Sequence, residues 1–183
     1  MKDLAREYKV SLNAVVYFMR HHNLERRSKT EGSRLAYLRK PASFTVKESF
    51  TDFENELRLA GIFLYWGEGY KRPDGKSVDF ANSDPTMVII FLRFLREICC
   101  VDESKIRLYL YCYENQNPKE LIAYWCNLLK LPKSCVTKPY VRKDFQLEKI
   151  GRMKYGLIHI RYHDKKLLTR ILEWIEEYKK KFA

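Results

Sequence analysis

An acidic residue, Glu68, stands between two glycines at the point where an apolar helical pattern ends. Apolar and small residues recur before it at three- and four-residue steps, which predicts a helix over residues 57–67. A carboxylate at the carboxyl end of a helix meets the negative end of the helix dipole, at a cost of up to about 1 kcal/mol, and a bound cation would reverse this effect. Glu68 is therefore a candidate metal ligand, and the alternative is a solvated acid in a glycine turn.

The predicted helix has a face of small and apolar residues along which a second helix could pack closely. A homodimer built on this face would bring two Glu68 carboxylates together, as divalent metal ions require when they activate water against a phosphodiester. The residues predicted to form the dimer interface are Leu57, Ala60, Gly61 and Leu64.

The charge of the chain indicates a polyanionic partner. The 183 residues carry a formal net charge of +12. The first 40 residues hold ten Lys and Arg against four Asp and Glu, and residues 138–183 hold thirteen against six, whereas residues 41–137 hold twelve against thirteen. Clustered basic residues suit the phosphates of a nucleic acid, so double-stranded DNA is the expected partner.

The cysteines and histidines indicate the cellular compartment of the protein more than its function. The five cysteines lie mostly among apolar neighbours and include no CxxC pair, which predicts reduced core residues in a cytoplasmic protein. The four histidines give no zinc-finger or nuclease spacing, and His159 is interpreted as structural or DNA-facing. Neither a long apolar run nor a signal peptide is present, so no membrane partner is expected.

Residues 1–28 predict a helix-turn-helix-like DNA-binding module. Two helical stretches, 2–8 and 12–23, are joined by a short turn, and Ser11 is a natural N-cap for the second. The pattern resembles the helix-turn-helix of resolvase-like and phage regulators, with an ordinary helical hairpin as the alternative. Residues 29–49 are basic and poor in periodic apolar positions, which predicts a linker.

The remaining residues, 50–183, predict a single α+β core domain. After the Glu68 turn, the predicted elements are a strand over 76–82, a helix over 85–100 capped by Asp84, a strand over 106–113, a helix capped by Asn117, strands over 135–142 and 154–162 as an antiparallel pair, and an amphipathic helix over 167–182.

The strand over 106–113 places Arg107, Tyr109, Tyr111 and Tyr113 on one face. Basic and aromatic residues on one sheet face suit a surface that reads a DNA groove, although alternating tyrosines also occur on ordinary half-solvated sheets. The candidate DNA-binding residues of the whole chain are Arg20, Arg26, Arg27, Lys71, Arg72, Arg107, Tyr109, Lys138, Arg142, Lys154 and Arg161.

The stretch LAGIFLYWGEG, followed by a strand, FANSDP and a helix, resembles the LAGLIDADG homing endonuclease family, in particular its relatives that carry a helix-turn-helix. The resemblance spans residues 54–182. It implies a saddle-shaped antiparallel sheet that lies on DNA, motif helices packed at a two-fold interface, and an acid at the end of each motif helix that binds Mg²⁺. Glu68 stands at that acid position with Gly67 beside it, and single-motif members of the family work as homodimers.

The implied function is sequence-specific DNA binding with metal-dependent phosphodiester cleavage, as a homing-type endonuclease. This chain has Trp66 where the family motif has its first acid. The family also includes transcription regulators that keep the core and the helix-turn-helix without cutting DNA, so a non-catalytic DNA-binding regulator is the alternative. A structural RNA-binding protein is a third possibility, and the chain lacks the RNP-like aromatic signature that would favour it.

Overall fold

The computed structural model describes residues 1–25, 28–72, 74–143 and 153–182. The chain divides into two compact units, Met1–Pro41 and Ala42–Ala183.

The first unit contains three short helices, α1 Lys2–Glu7, α2 Leu12–His21 and α3 Lys29–Arg39. The predicted cap of α2 is confirmed, because the Ser11 hydroxyl accepts a hydrogen bond from the Ala14 amide at 3.1 Å. No residue in the described part of this unit is buried, so local capping and helix propensity rather than a packed core define it.

Helix α3 occupies much of the segment that the sequence predicted to be a linker. Ser28 caps it by accepting a hydrogen bond from the Glu31 amide at 3.0 Å, and because the helix has no apolar stripe, hydrophobic periodicity could not reveal it. Beyond Pro41 the chain belongs to the second unit, where the Ser43 hydroxyl donates to the Asp164 carboxylate at 2.8 Å. The two compact units divide at residue 41, between the boundaries at 28 and 49 that the sequence predicted.

The second unit is a mixed α and β domain. Its elements are, in chain order, α4 Asp52–Glu68, β1 Val78–Asn82, α5 Pro85–Arg93 with a π-helical continuation Phe94–Ile98, a 3₁₀ turn Glu103–Lys105, β2 Ile106–Tyr113, α6 Pro118–Leu129, a 3₁₀ turn Lys133–Cys135, β3 Tyr140–Arg142, β4 Leu157–Tyr162 and α7 Lys165–Phe182. Within the described residues, no helix combines the length and the apolar character that crossing a bilayer demands.

The four strands form one sheet in the order β1-β4-β2-β3. Strand β4 is antiparallel to both of its neighbours, whereas the short edge strand β3 is parallel to β2, so the sheet is mixed and not purely antiparallel. The predicted pairing of 135–142 with 154–162 is wrong. Every second residue of β4 is buried, which suits a central strand, whereas all three residues of β3 are exposed, which suits an edge.

Alternate residues of the strands enter the hydrophobic core. Ile106, Leu108 and Leu110 of β2 are buried beside Ile158 and Ile160 of β4. The buried sides of α4, α5 and α7 complete the same core, with Phe91, Phe94 and Trp174 among its largest members, so the helices cover one face of the sheet.

Helix α4 buries part of the face that was predicted to contact a second copy. A Thr51–Glu54 capping box starts the helix. Leu57 and Gly61 are buried in the core of their own chain, and a Cβ atom added to Gly61 would lie 2.1 Å from Cγ of Phe94. Gly61 thus allows the close approach of Phe94, and neither Leu57 nor Gly61 is available for a dimer interface.

Two glycine substitutions in α4 separate packing from helix propensity. Gly61→Ala should lower the free energy of unfolding by about 1–3 kcal/mol, because the new methyl group collides with the base of the Phe94 ring. Gly67→Ala should raise it by up to about 1 kcal/mol, because an added Cβ there meets no atom within 4 Å and alanine favours the helix. Urea unfolding followed by circular dichroism measures both changes, and equal effects at the two positions would contradict this packing.

Candidate nucleic-acid interface

The second face of the sheet is not covered by the helices of the core, and we call it the open face. The same alternation that buries Ile106 and Leu108 turns Arg107 and Tyr109 of β2 outward. The residues of the open face are Asp79 and Ala81 of β1, Leu157, His159 and Arg161 of β4, Arg107, Tyr109 and Tyr111 of β2, and Tyr140 and Arg142 of β3.

One carboxylate organises the centre of the open face. The side chain of Asp79 is 15% exposed, and its two oxygens contact His159 Nδ1 at 2.9 Å and Arg161 Nε at 2.6 Å. Burial raises the pKa of Asp79, but the hydrogen bonds and charges of His159 and Arg161 outweigh burial and hold that pKa below its ordinary value. Asp79 is therefore ionised, and its charge is compensated within the open face.

His159 lies on β4, which pairs with both β1 and β2, and it contacts Asp79 through one of its two ring nitrogens. Its Nδ1 faces the ionised Asp79, so the proton on this nitrogen is donated to the carboxylate. Its Nε2 is buried and has no hydrogen-bond partner among the described residues. Nε2 is thus enclosed within the protein, which favours a structural role for His159 as a partner of Asp79.

Arg161 is fixed by an aromatic ring as well as by Asp79. Its guanidinium carbon lies 4.1 Å from the centre of the Tyr109 ring. Burial lowers the pKa of Arg161, but Asp79 and Tyr109 together hold that pKa above its ordinary value. Arg107 is the cross-strand neighbour of Arg161, and it turns to the carbonyls of Ser104 and Ile106 at 2.7 and 2.8 Å. Arg107 and Arg161 carry like charges on neighbouring strands, and each guanidinium has hydrogen-bond acceptors of its own.

A row of aromatic rings crosses the sheet beside these charges. The Tyr111 ring meets His159 edge to face at 4.6 Å and Tyr140 edge to face at 5.3 Å between centroids. Tyr113, predicted to share the exposed face, is instead 8% exposed, with the Arg142 guanidinium 5.9 Å from its ring centre. The open face therefore alternates planar rings and guanidinium groups, which can contact bases and phosphates respectively.

The end of α4 carries the predicted metal ligand and also a cation of the chain itself. Glu68 and Gly67 are exposed, and Glu68 has no hydrogen bond or ion pair with any described residue. The Lys71 ammonium donates to the carbonyls of Trp66 at 2.8 Å and Gly69 at 3.0 Å. Lys71 thereby supplies the positive charge that the carboxyl end of a helix favours.

The fit of Mg²⁺ to this end of α4 depends on ligand number. Mg²⁺ prefers octahedral coordination by oxygen ligands. One chain offers a single carboxylate there, and no group of three or more His, Cys, Asp and Glu side chains could hold a metal ion anywhere in the described ranges. With one carboxylate at this end of α4, Mg²⁺ would need further oxygen ligands from water, from DNA phosphates or from the Glu68 of a second copy.

The other predicted DNA-binding residues are scattered. Arg20 is exposed on α2 of the first unit, whereas Arg26 and Arg27 lie outside the described residues. Arg72 is paired with Asp74 at 3.3 Å.

Two further predicted residues lie just before strands of the sheet. Lys138 is exposed and lies just before β3. Lys154 was predicted inside a strand, but it belongs to the turn before β4, where its ammonium lies 5.2 Å from the Tyr155 ring centre.

Two residues of the open face that contact predicted site residues, Asp79 and Tyr140, were not predicted from the sequence. Asp79 was assigned to a strand but not to a site, because an acid opposite His159 and Arg161 becomes a usable signal only once strand pairing is known. Tyr140 gave no signal because β3 is three residues long. The sheet brings together Arg107, Tyr109, Arg142 and Arg161 from the predicted set.

Comparison with known proteins gives no match: no family model, no curated protein and no solved structure is significantly similar to this chain. A proposal for the function of the protein therefore depends on the geometry of the open face and of α4.

Replacing Asp79 tests the charge compensation of the open face. Its pKa is lowered in the folded protein, so the ionised group stabilises the fold above the unfolded value of about 3.9, and this stabilisation is lost as pH falls through the lower folded pKa. Asp79→Asn should therefore cost about 1–3 kcal/mol at pH 7 and progressively less below about pH 4. Denaturant unfolding at several pH values measures this difference.

Asp74→Asn is the matched control for that measurement. Asp74 is largely exposed in its ion pair with Arg72, so this substitution should change stability little at any pH. A cost of Asp79→Asn that stays constant from pH 7 to pH 2 would show that the Asp79 charge does not hold the open face together.

Proposed function

We propose that this protein binds double-stranded DNA through the open face of its sheet. The observation that carries the proposal is the combination of three arginines and three rings on one sheet face, where Asp79, the single acid among the described residues of that face, is already compensated. The groups are Arg107, Arg142, Arg161, Tyr109, Tyr111 and Tyr140. Guanidinium groups neutralise phosphates, while the exposed rings offer contacts to groove edges, which gives sequence selectivity a physical basis.

The distribution of charge supports DNA over other polyanions. The face carries fixed, planar donors held by Asp79, Ser104 and Ile106, and such fixed donors suit a regular array of phosphates. Basic residues of the first unit, Arg20 among them, add a second contact, in line with the proposed helix-turn-helix role of α1 and α2.

A homodimer through α4 belongs to the same proposal, on a face rotated from the predicted one. Phe53 and Phe63 are 54% and 44% exposed, and Ala60 and Gly67 lie on the same side of the helix with them. Aromatic rings beside small residues form a surface that a second copy of α4 could cover closely, with Leu64 at its border. This arrangement agrees with the LAGLIDADG-like core that the sequence resembles, and it brings the two exposed Glu68 side chains to one end of the paired helices.

Substitutions on the open face test the proposed DNA binding. Arg107→Gln and Arg142→Gln should each make the slope of log affinity against log salt shallower by about 0.9, because each loses one phosphate contact. Lys180→Gln is the matched control, since it removes the same charge from the exposed side of α7 on the covered side of the sheet. Fluorescence anisotropy with a labelled duplex at several salt concentrations gives these slopes. Equal slopes for all three variants would contradict the proposal.

Metal-dependent cleavage by the dimer is a second candidate function, favoured by the exposed Glu68 carboxylate, which has no ion pair with any residue that the structure describes. When bound between two such carboxylates, Mg²⁺ would activate water and stabilise the leaving oxygen of a phosphodiester. The ammonium of Lys71 at the same helix end favours the alternative, a DNA-binding regulator that does not cut.

Glu68→Gln separates the two candidates, because it keeps the size of the side chain and removes the charge that a metal ion requires. Under the endonuclease proposal, the unmodified protein cuts a duplex that it binds selectively when Mg²⁺ is added, and the variant binds this duplex without cutting it. Glu48→Gln, at an exposed acid before α4, should leave cleavage unchanged. Selective binding with no cleavage by the unmodified protein would instead support the regulator.

A further inference from the structure

A cavity opens on the open face at the β1 edge of the sheet. Its volume is about 470 Å³, which is within the usual range of small-ligand pockets. The residues that line it are Tyr70, Lys76, Ser77, Asp79, His159 and Arg161. In the loop before β1, Arg72 pairs with Asp74, and Pro73, the one residue of this loop outside the described part of the chain, has no ionisable side chain.

The charged side chains of the cavity leave a positive charge over. Asp79 is its one carboxylate, and both oxygens of Asp79 are already in contact with His159 and Arg161. Lys76 is exposed, and its ammonium has no hydrogen bond or ion pair with any residue that the structure describes. Two cations and one compensated carboxylate thus line the cavity, and the charge of Lys76 has no counterpart there.

Arg161 keeps hydrogen-bond donors that a ligand in this cavity can use. Its contact with Asp79 occupies Nε, whereas a guanidinium carries five N–H donors in a planar fork. The group is oriented from one side by Asp79 and from another by the Tyr109 ring, 4.1 Å from the guanidinium carbon. Such a fixed fork suits an oxyanion, because little side-chain freedom is lost on binding.

Hydroxyl groups add to these donors from a fixed segment of the chain. The Tyr70 amide donates to the Asp79 carbonyl at 2.9 Å, and the Tyr70 carbonyl accepts from the Tyr65 hydroxyl at 2.8 Å. The phenol of Tyr70 and the hydroxyl of Ser77 therefore border the cavity beside Lys76. A cationic ligand would meet two cations here, and an apolar ligand would cover the Lys76 ammonium without replacing its water. A phosphate has enough oxygens to accept from an ammonium and a guanidinium together.

We propose that this cavity is a phosphate-binding subsite, in which Lys76 and Arg161 contact the oxygens of one phosphate group. The phosphate belongs either to the backbone of the bound duplex, in which case the inference rests on the proposed function, or to a free phosphate ester. Gly69 pairs with Phe80 of β1, so the backbone joins the cavity to the end of α4. A backbone phosphate held by Lys76 would thus fix the position of the duplex relative to that helix end.

The experiment uses the full chain and a duplex in which one backbone phosphate at a time is replaced by a neutral methylphosphonate. At one position or more, this replacement should weaken binding by the unmodified protein and leave binding by Lys76→Gln unchanged, because the variant has already lost that contact. Lys76→Gln should also make the slope of log affinity against log salt shallower by about 0.9. Lys76→Arg, which keeps the charge, should behave as the unmodified protein.

Lys180→Gln, on the exposed side of α7, is the matched control and should respond to every methylphosphonate as the unmodified protein does. A second arm titrates deoxyribose 5-phosphate and follows the Arg161 Nε signal by NMR. A shift of this signal that is lost in Lys76→Gln would identify a free phosphate ester as a ligand.

The two arms separate failure of the subsite from failure of the proposed function. Duplex binding in which Lys76→Gln and Lys180→Gln respond alike to every methylphosphonate, with no shift by the sugar phosphate, would overturn the subsite and leave the proposed function standing. A Lys76-dependent shift without any duplex binding would keep the subsite and contradict the proposed function. Equal losses of duplex affinity in Lys76→Gln and Lys76→Arg would overturn the role of the Lys76 charge.

Discussion

The structure depends on the strict alternation of side chains along β2 and β4. Every second residue of these strands is buried against α4, α5 and α7, and a shift of one residue would expose that apolar set. The register is therefore fixed by the core. Because the outward residues cannot change sides without moving the buried ones, the placement of Arg107, Tyr109 and Arg161 on the open face follows from the burial of Leu108 and Ile160.

Asp79 orders the side chains that the alternation places on the open face. An uncompensated acid on the face that we propose to contact phosphates would weaken binding, but the pairing of Asp79 with Arg161 and His159 compensates the charge and orients the guanidinium over Tyr109. The same face then carries two kinds of group: the guanidinium groups of Arg107 and Arg161, each oriented by its own acceptors, and a row of rings that ends at Tyr140.

Local signals in the sequence predicted much of the fold. Strand β2 matched its predicted range, and Asp84 and Asn117 cap α5 and α6 as expected, because capping and alternation depend on neighbouring residues. Long-range contacts were not predictable in this way. The parallel pairing of β3 and the contact of Gly61 with Phe94 join distant parts of the chain, and α3 has no apolar stripe to indicate it. For the same reason, the sequence predicted the arginines of the site but did not predict Asp79, which contacts Arg161.

The central claim is that the open face of the sheet is the surface on which duplex DNA lies. Its most direct test is an NMR titration of isotopically labelled protein with a short duplex, in which backbone amide and arginine Nε signals are followed. The claim predicts that the signals of Tyr109, Tyr111 and Arg161 shift together with DNA concentration, while those of the exposed side of α7 stay unchanged. Shifts confined to α7 or to the first unit, with the open face unaffected, would contradict it.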